Sequence, residues 1–270
     1  MLFRLRLIPL TCLLLTLTAA QADERIVSVA TLTDYPPLIF NKPDTKRVVE
    51  ERIPPGQDSS SLQGFSWDIL RESYHSQGYT IQIHVVPWTR AFEMARSDSV
   101  EILFPTGYNE ERTEYFHYSV NPINEARFII YTLPDKTLEW DGLASLHNLT
   151  IGAMRGWNYG AEWEQATGFY KYGLSDILQG FQMLDAGRID GLAGYETNFD
   201  YALSEAGLPN PYTKHPSFGE TFEYATASKS HPTGRDMLMV FDLGVEHLKA
   251  SGRLSEIRQH WFPTLVSESD

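Results

Sequence analysis

Apolar and polar positions along this chain switch repeatedly between a period of two and a period near 3.6, which predicts strands alternating with helices. Ile26–Leu32 alternates through Val27 and Val29 and stops at Asp34-Tyr35-Pro36-Pro37, where two prolines force an extended turn. Next comes a helix with Ser66 as its cap, Trp67, Leu70 and Tyr74 on one face and Gly78 as its stop. Ile81, Ile83 and Val85 mark a second strand ending at Pro87-Trp88. A helix from Trp88 through Phe92 and Ala95 then leads into a third strand, Val100–Phe104, ended by Pro105-Thr106-Gly107. This β-α-β-α-β order predicts parallel strands with helical crossovers, an α/β lobe. After the β-rich run Ala126–Thr132, a second series repeats the alternation with strand Thr150–Met154, a helix near Ala161–Ala166, strand Phe169–Tyr172, helix Ser175–Ala186, strand Ile189–Ala193 and helix Asn198–Ala206. Glu220–Ser228 reads as a returning strand. Leu238, Phe241, Val245 and Leu248 then share one face of a helix with Gly252 past its end, and a last helix closes at Trp261. Between the first strand and helix, Asn41–Gln63 is charged and rich in Pro and Ser, so it reads as a solvated insertion with a hairpin around Arg47–Ile53.

Composition changes this picture at one end. With 270 residues and 42% hydrophobic content the chain has ample material for packed cores. Residues 1–22 break from the rest: Arg4 and Arg6 precede a short apolar stretch, Leu7–Leu17, and Ala20-Gln21-Ala22 is a small-x-small cleavage site, together a signal peptide. The only cysteine, Cys12, lies inside that segment in a poor setting for lipid attachment, so the expected mature chain from Asp23 has no disulfide. The formal net charge is −13, and loss of the leader removes two basic and no acidic residues. This balance argues against nucleic acid and anionic lipid as partners, because cationic surfaces bind both.

The candidate chemistry centres on Arg112, a few residues past the third strand, where a guanidinium fork at the rim of a sheet suits a carboxylate held by two parallel hydrogen bonds. The residues alone leave a second role open, a surface pair with Glu110, Glu111 or Glu114. Tyr35 and Trp88 fall at strand ends, where open α/β sheets keep their ligands, although Trp88 also fits a core role. Hydrolase, zinc-protease, phosphate-loop and dinucleotide motifs are absent, the eight histidines lack ligand spacing, and no cofactor or metal is expected.

Arg112 followed after five residues by Tyr118-Ser119 resembles the "R…FS" signature of the family 3 periplasmic solute-binding proteins, the polar amino-acid receptors of ABC importers. Further matches occur in order: Tyr35-Pro36-Pro37, Gly64-Phe65 through Asp68, Pro87-Trp88, Arg155-Gly156, Gly187-Arg188-Ile189-Asp190, and Gly252-Arg253-Leu254 to Trp261. The resemblance implies an α/β, two-lobed periplasmic binding protein fold of type II with a two-crossing hinge. Lobe 1 would comprise residues 23–125 plus 219–270, and lobe 2 residues 126–218. It implies a carboxylate clamp at Arg112, a sandwich of the ligand by Tyr35 and Trp88, and a hydroxyl from Thr106 where the family usually has further donors. In the second lobe Asn158 is the best polar candidate, in a turn where Trp157 serves for packing as readily. The family's amine-binding aspartate falls on Tyr195, with Glu196 adjacent as a replacement. The implied function is capture of an amino acid or related small carboxylate in the periplasm for an ABC permease, or for a sensor protein, by a monomer. An enzymatic alternative is a secreted cyclohexadienyl-dehydratase-like activity, with Glu196 as its general acid.

Overall fold

A computed structural model describes residues 24–262 apart from 33 and 47; the expected leader at residues 1–22 lies outside the described residues. The chain starts with β1 (Ile26–Thr31), then forms the short strands β2 (Asp34–Tyr35), β3 (Ile39–Asn41), β4 (Glu50–Ile53) and β5 (Leu62–Gln63). Helix α1 (Phe65–Ser76), β6 (Thr80–Val85), α2 (Trp88–Arg96) and β7 (Ile102–Gly107) complete the first βαβ series. A 3₁₀ turn at Glu111–Glu114 and β8 (Phe116–Tyr118) lead to the long strand β9 (Asn124–Thr132). The second series is β10 (Thr150–Met154), α3 (Gly160–Gln165), β11 (Tyr170–Leu174), α4 (Ile177–Asp185), β12 (Gly191–Tyr195) and α5 (Glu196–Glu205). Strands β13 (Thr213–Lys214) and β14 (Gly219–Ser228) return the chain to helices α6 (Gly234–Ala250) and α7 (Arg253–Trp261).

One sheet runs through both halves in the order β11-β10-β12-β9-β14-β7-β1-β6-β4. Within each lobe the βαβ strands pair in parallel, β6-β1-β7 in the first and β11-β10-β12 in the second. Between them β9 and β14 pair antiparallel to each other, so the two crossings of the chain form the junction. Parallel strands covered by helices are buried on both faces, and accordingly every residue of β7 and of β12 is buried. The first lobe closes with α6, whose Leu238, Phe241, Val245 and Leu248 are buried as their spacing predicts. Its Gly244 lies so close to α1 that a Cβ there would stand 2.3 Å from the Ser73 carbonyl oxygen.

Three sequence readings change. The third strand does not stop at Pro105 but runs to Gly107, because β14 supplies an antiparallel partner for Thr106 and Gly107. The 41–63 segment is largely exposed, as its composition predicts, but it carries paired strands rather than a free-standing hairpin. Glu50–Ile53 adds an antiparallel edge strand to β6, and Leu62-Gln63 pairs with Phe40-Asn41 in a small second sheet. Ser66 is not the cap of α1: Gly64 occupies that position at φ 135°, and Ser66 is buried inside the first turn. Only glycine fits there, since a Cβ would lie 2.4 Å from the Leu38 carbonyl oxygen.

Candidate functional site

The carboxyl ends of the parallel strands from both lobes point at one another across the β9–β14 junction, and residues at or just past those ends line the cleft between them. Leu32 and Tyr35 come after β1, Trp88 after β6, Pro105 and Gly107 from the end of β7, Gly156, Trp157 and Asn158 after β10, Tyr195 from the end of β12, and Arg112 from the 3₁₀ turn. Glu223 of β14 forms the floor. In this closed form the space they enclose is small, about 30 Å³, room for little more than a water molecule or two.

The walls are aromatic and come from both lobes. The Tyr35 and Trp157 rings meet edge-on at 5.0 Å, Trp157 and Tyr195 lie 4.8 Å apart, and Tyr35 and Tyr195 lie 6.2 Å apart. Tyr195 is held in place by stacking on Phe128 at 5.0 Å and by donating its hydroxyl to the Asn158 carbonyl oxygen at 2.6 Å. Asn158 in turn donates its Nδ2 to the Tyr108 carbonyl oxygen at 2.8 Å, and Asn198 of α5 donates to the Pro36 carbonyl oxygen at 2.7 Å. Both bonds join the lobes, so the cleft is closed.

Arg112 is partly buried, and its guanidinium lies 5.9 Å from the Trp88 ring centre and 5.6 Å from that of Phe92. Its one side-chain hydrogen bond among the described residues is from Nη1 to the Gly107 carbonyl oxygen at 3.3 Å. No ion pair joins it to Glu110, Glu111, Glu114 or any other described acid, which leaves most of its donors uncommitted. A partly buried guanidinium with donors to spare at the edge of a cleft suits a carboxylate.

Of the residues named from the sequence, Tyr35, Trp88, Arg112, Asn158 and Tyr195 line this cleft together. Thr106 does not: its hydroxyl is buried in the sheet, 2.9 Å from the Thr226 hydroxyl, because strand alternation turns it away while Pro105 and Gly107 face the space. Glu196 does not either. It begins α5 on the far side of Tyr195, paired with Arg127 at 3.4 Å and Lys214 at 3.3 Å, and it borders a separate groove.

Glu223 is the residue that sequence reading missed. It is 4% exposed, accepts from the Tyr35 hydroxyl at 2.6 Å and from Asn124 Nδ2 at 3.1 Å, and burial pushes its carboxyl up to about 7 against the pull of those bonds and of Arg112. Burial, then the neighbouring Glu223 charge, likewise raises the Tyr35 and Tyr195 phenols well above their ordinary value. The signal was weak: in Thr221-Phe222-Glu223-Tyr224 the apolar residues mark the opposite face as the core, yet Phe222 is 43% exposed. Among the described residues no group of His, Cys, Asp or Glu side chains could hold a metal, and no helix is long and apolar enough to cross a membrane.

Comparisons with known proteins agree with this architecture. Among solved structures, a histidine kinase sensor domain with similarity to periplasmic binding proteins superposes with a TM-score of 0.72 at 18% identity, covering 88% of this chain and 96% of that one. An ancestral arginine-binding protein bound to arginine gives 0.71 at 18% identity over 88% of this chain and 98% of that one. An ancestral amino-acid-binding protein described as a precursor of cyclohexadienyl dehydratase gives 0.69 at 16% identity over 88% and 95%. Identities this low carry the fold alone, and no curated protein matches the sequence. The profile of one family covers residues 27–264, nearly the whole described chain, and by that match the protein belongs to the bacterial extracellular solute-binding proteins, family 3.

Proposed function

We propose that the protein captures a small carboxylate solute, an amino acid or a related acid, between two closing lobes in the periplasm and delivers it to the permease of an ABC importer. The observation that carries this reading is Arg112, a partly buried guanidinium with no acidic partner among the described residues, set in a closed cleft with aromatic walls from both lobes. In this reading residues 23–125 with 219–270 move as one body and 126–218 as the other, and ligand contacts to both favour the closed state whose outer surface the permease reads. A thermal-shift screen over amino acids and small organic acids identifies the ligand, because a bound solute stabilises the fold by mass action. Calorimetry on the best hit then tests the clamp. Arg112→Ala should weaken binding by roughly 2–5 kcal/mol, and Arg112→Lys should not restore it, since an ammonium cannot reproduce the bidentate fork. An Arg112→Ala protein that binds as tightly as wild type would remove the carboxylate assignment.

Likeness to a sensor domain favours a second reading within the same chemistry, in which a transmembrane receptor rather than a permease reads the closed state. Pull-down from membranes with and without ligand separates the two. The dehydratase reading loses its nominated acid, because Glu196 lies outside the cleft in ion pairs. We read the protein as non-catalytic, and formation of aromatic product from prephenate or arogenate would overturn that.

A further inference from the structure

The cleft holds a second ionisable group that a carboxylate clamp leaves unused. Glu223 sits on β14 directly opposite Asn124 of β9, at the junction of the lobes, and lines the same space as Arg112. Each of its oxygens accepts one protein hydrogen bond, from Tyr35 and from Asn124, and each keeps a further lone pair. No lysine, arginine or histidine pairs with it among the described residues. The charged and titratable groups facing it are Arg112 from the 3₁₀ turn, Tyr35 from β2, and Tyr195 from β12 with Tyr159 behind it. On its own strand Tyr224 turns toward Tyr108 and Tyr118 instead. A carboxylate this deeply buried is costly unless a cation meets it.

The surrounding walls suit a cation. Aromatic faces attract positive charge, and Tyr35, Trp157 and Tyr195 gather around the floor that Glu223 forms. At Tyr195, where the sequence resemblance places an aspartate, the hydroxyl is already committed to the Asn158 carbonyl oxygen. A negative charge for the solute's amine would then come from the hinge strand rather than from the second lobe.

We propose that Glu223, with the rings of Tyr35, Trp157 and Tyr195, forms a subsite for an ammonium group, so that the solute is a zwitterion held by Arg112 at one end and Glu223 at the other. The proposal rests on the carboxylate reading of Arg112. It also couples binding to a proton: below neutrality Glu223 is mostly protonated, and an ammonium seated beside it favours the carboxylate, so the carboxyl proton leaves to solvent as the ligand keeps its own.

Calorimetry on the wild-type protein in buffers of different ionisation enthalpy tests this with matched probes: L-leucine and isocaproate, L-phenylalanine and hydrocinnamate, L-glutamine and glutaramate, L-glutamate and glutarate. The amino acid of at least one pair should bind more tightly than its deaminated partner and release about one proton near pH 6 and almost none near pH 8. Its affinity should be about tenfold higher near pH 8 than near pH 6. Glu223→Gln should abolish the release and narrow the preference within the pair. Deaminated acids binding as tightly as amino acids, or amino-acid binding without proton release near pH 6 in the wild type, would overturn the ammonium subsite while leaving the Arg112 clamp intact. Binding of neither member of any pair would overturn both.

Discussion

At the scale of single residues, the cleft's behaviour comes from how burial treats charge. Glu223 is raised from its ordinary 4.5 to about 7, so between those values the native state holds more protons than the unfolded chain. Stability is therefore greatest below the unfolded value and falls as pH rises through that window, levelling off above about 7. The whole window corresponds to roughly 3 kcal/mol. In urea titrations of ligand-free protein, Glu223→Gln should flatten this slope and equal or exceed wild type above neutrality; a wild-type stability that does not change across the window would refute it. Arg112 shows the complementary case. Its sequence context of three nearby glutamates fits a surface pair, and only the 3₁₀ turn that points it at the Gly107 carbonyl separates it from them.

At the scale of elements, hydrophobic period located the helices and the longer strands but passed over the short strands β2, β3, β5, β8 and β13, while pairing decided how far each strand extends. Pro105 reads as a breaker, yet β7 continues through Thr106 and Gly107 because β14 lies alongside. The polar 41–63 segment lacks the pattern of a buried strand for the same reason: β4 is an edge strand whose outward residues Glu50 and Arg52 face solvent and bond Gln82 and Glu24. Helix packing adds a constraint that the apolar stripe of α6 does not reveal. Gly244→Ala would drive a methyl group into the Ser73 carbonyl of α1 and should cost about 1–3 kcal/mol by forcing the helices apart. Thermal denaturation checks this, and ligand affinity should be unchanged because neither helix reaches the cleft.

At the scale of the molecule, closure depends on a few contacts across the cleft around the two-strand junction. Asn198 does not line the solute site, yet its side chain bonds the Pro36 carbonyl oxygen of the opposite lobe. Asn198→Ala should shift the ligand-free ensemble toward an open form, with a larger radius of gyration in small-angle scattering. Apparent affinity should then weaken by roughly fivefold, the equivalent of one lost hydrogen bond of about 1 kcal/mol. Scattering curves identical to wild type, with unchanged affinity, would show that this bond does not govern closure.

The sequence by itself determined the α/β alternation, the two series of βαβ units and the aromatic and arginine positions at strand ends, because period, turn residues and strand-end placement are local properties of the chain. It also carried the family, through motifs such as Arg112 to Tyr118-Ser119 that sit within a few residues of one another. What only the tertiary structure decided was which side of each strand or turn looks into the cleft. Thr106 and Glu196 each stand one residue from a cleft-lining neighbour and face elsewhere, since consecutive side chains point to opposite sides of a strand and diverge where a helix begins. Glu223 faces the cleft from 111 positions beyond Arg112, brought there by the antiparallel pairing of β14 with β9 and β7. No local pattern encodes such a meeting, because it depends on two distant segments sharing a register.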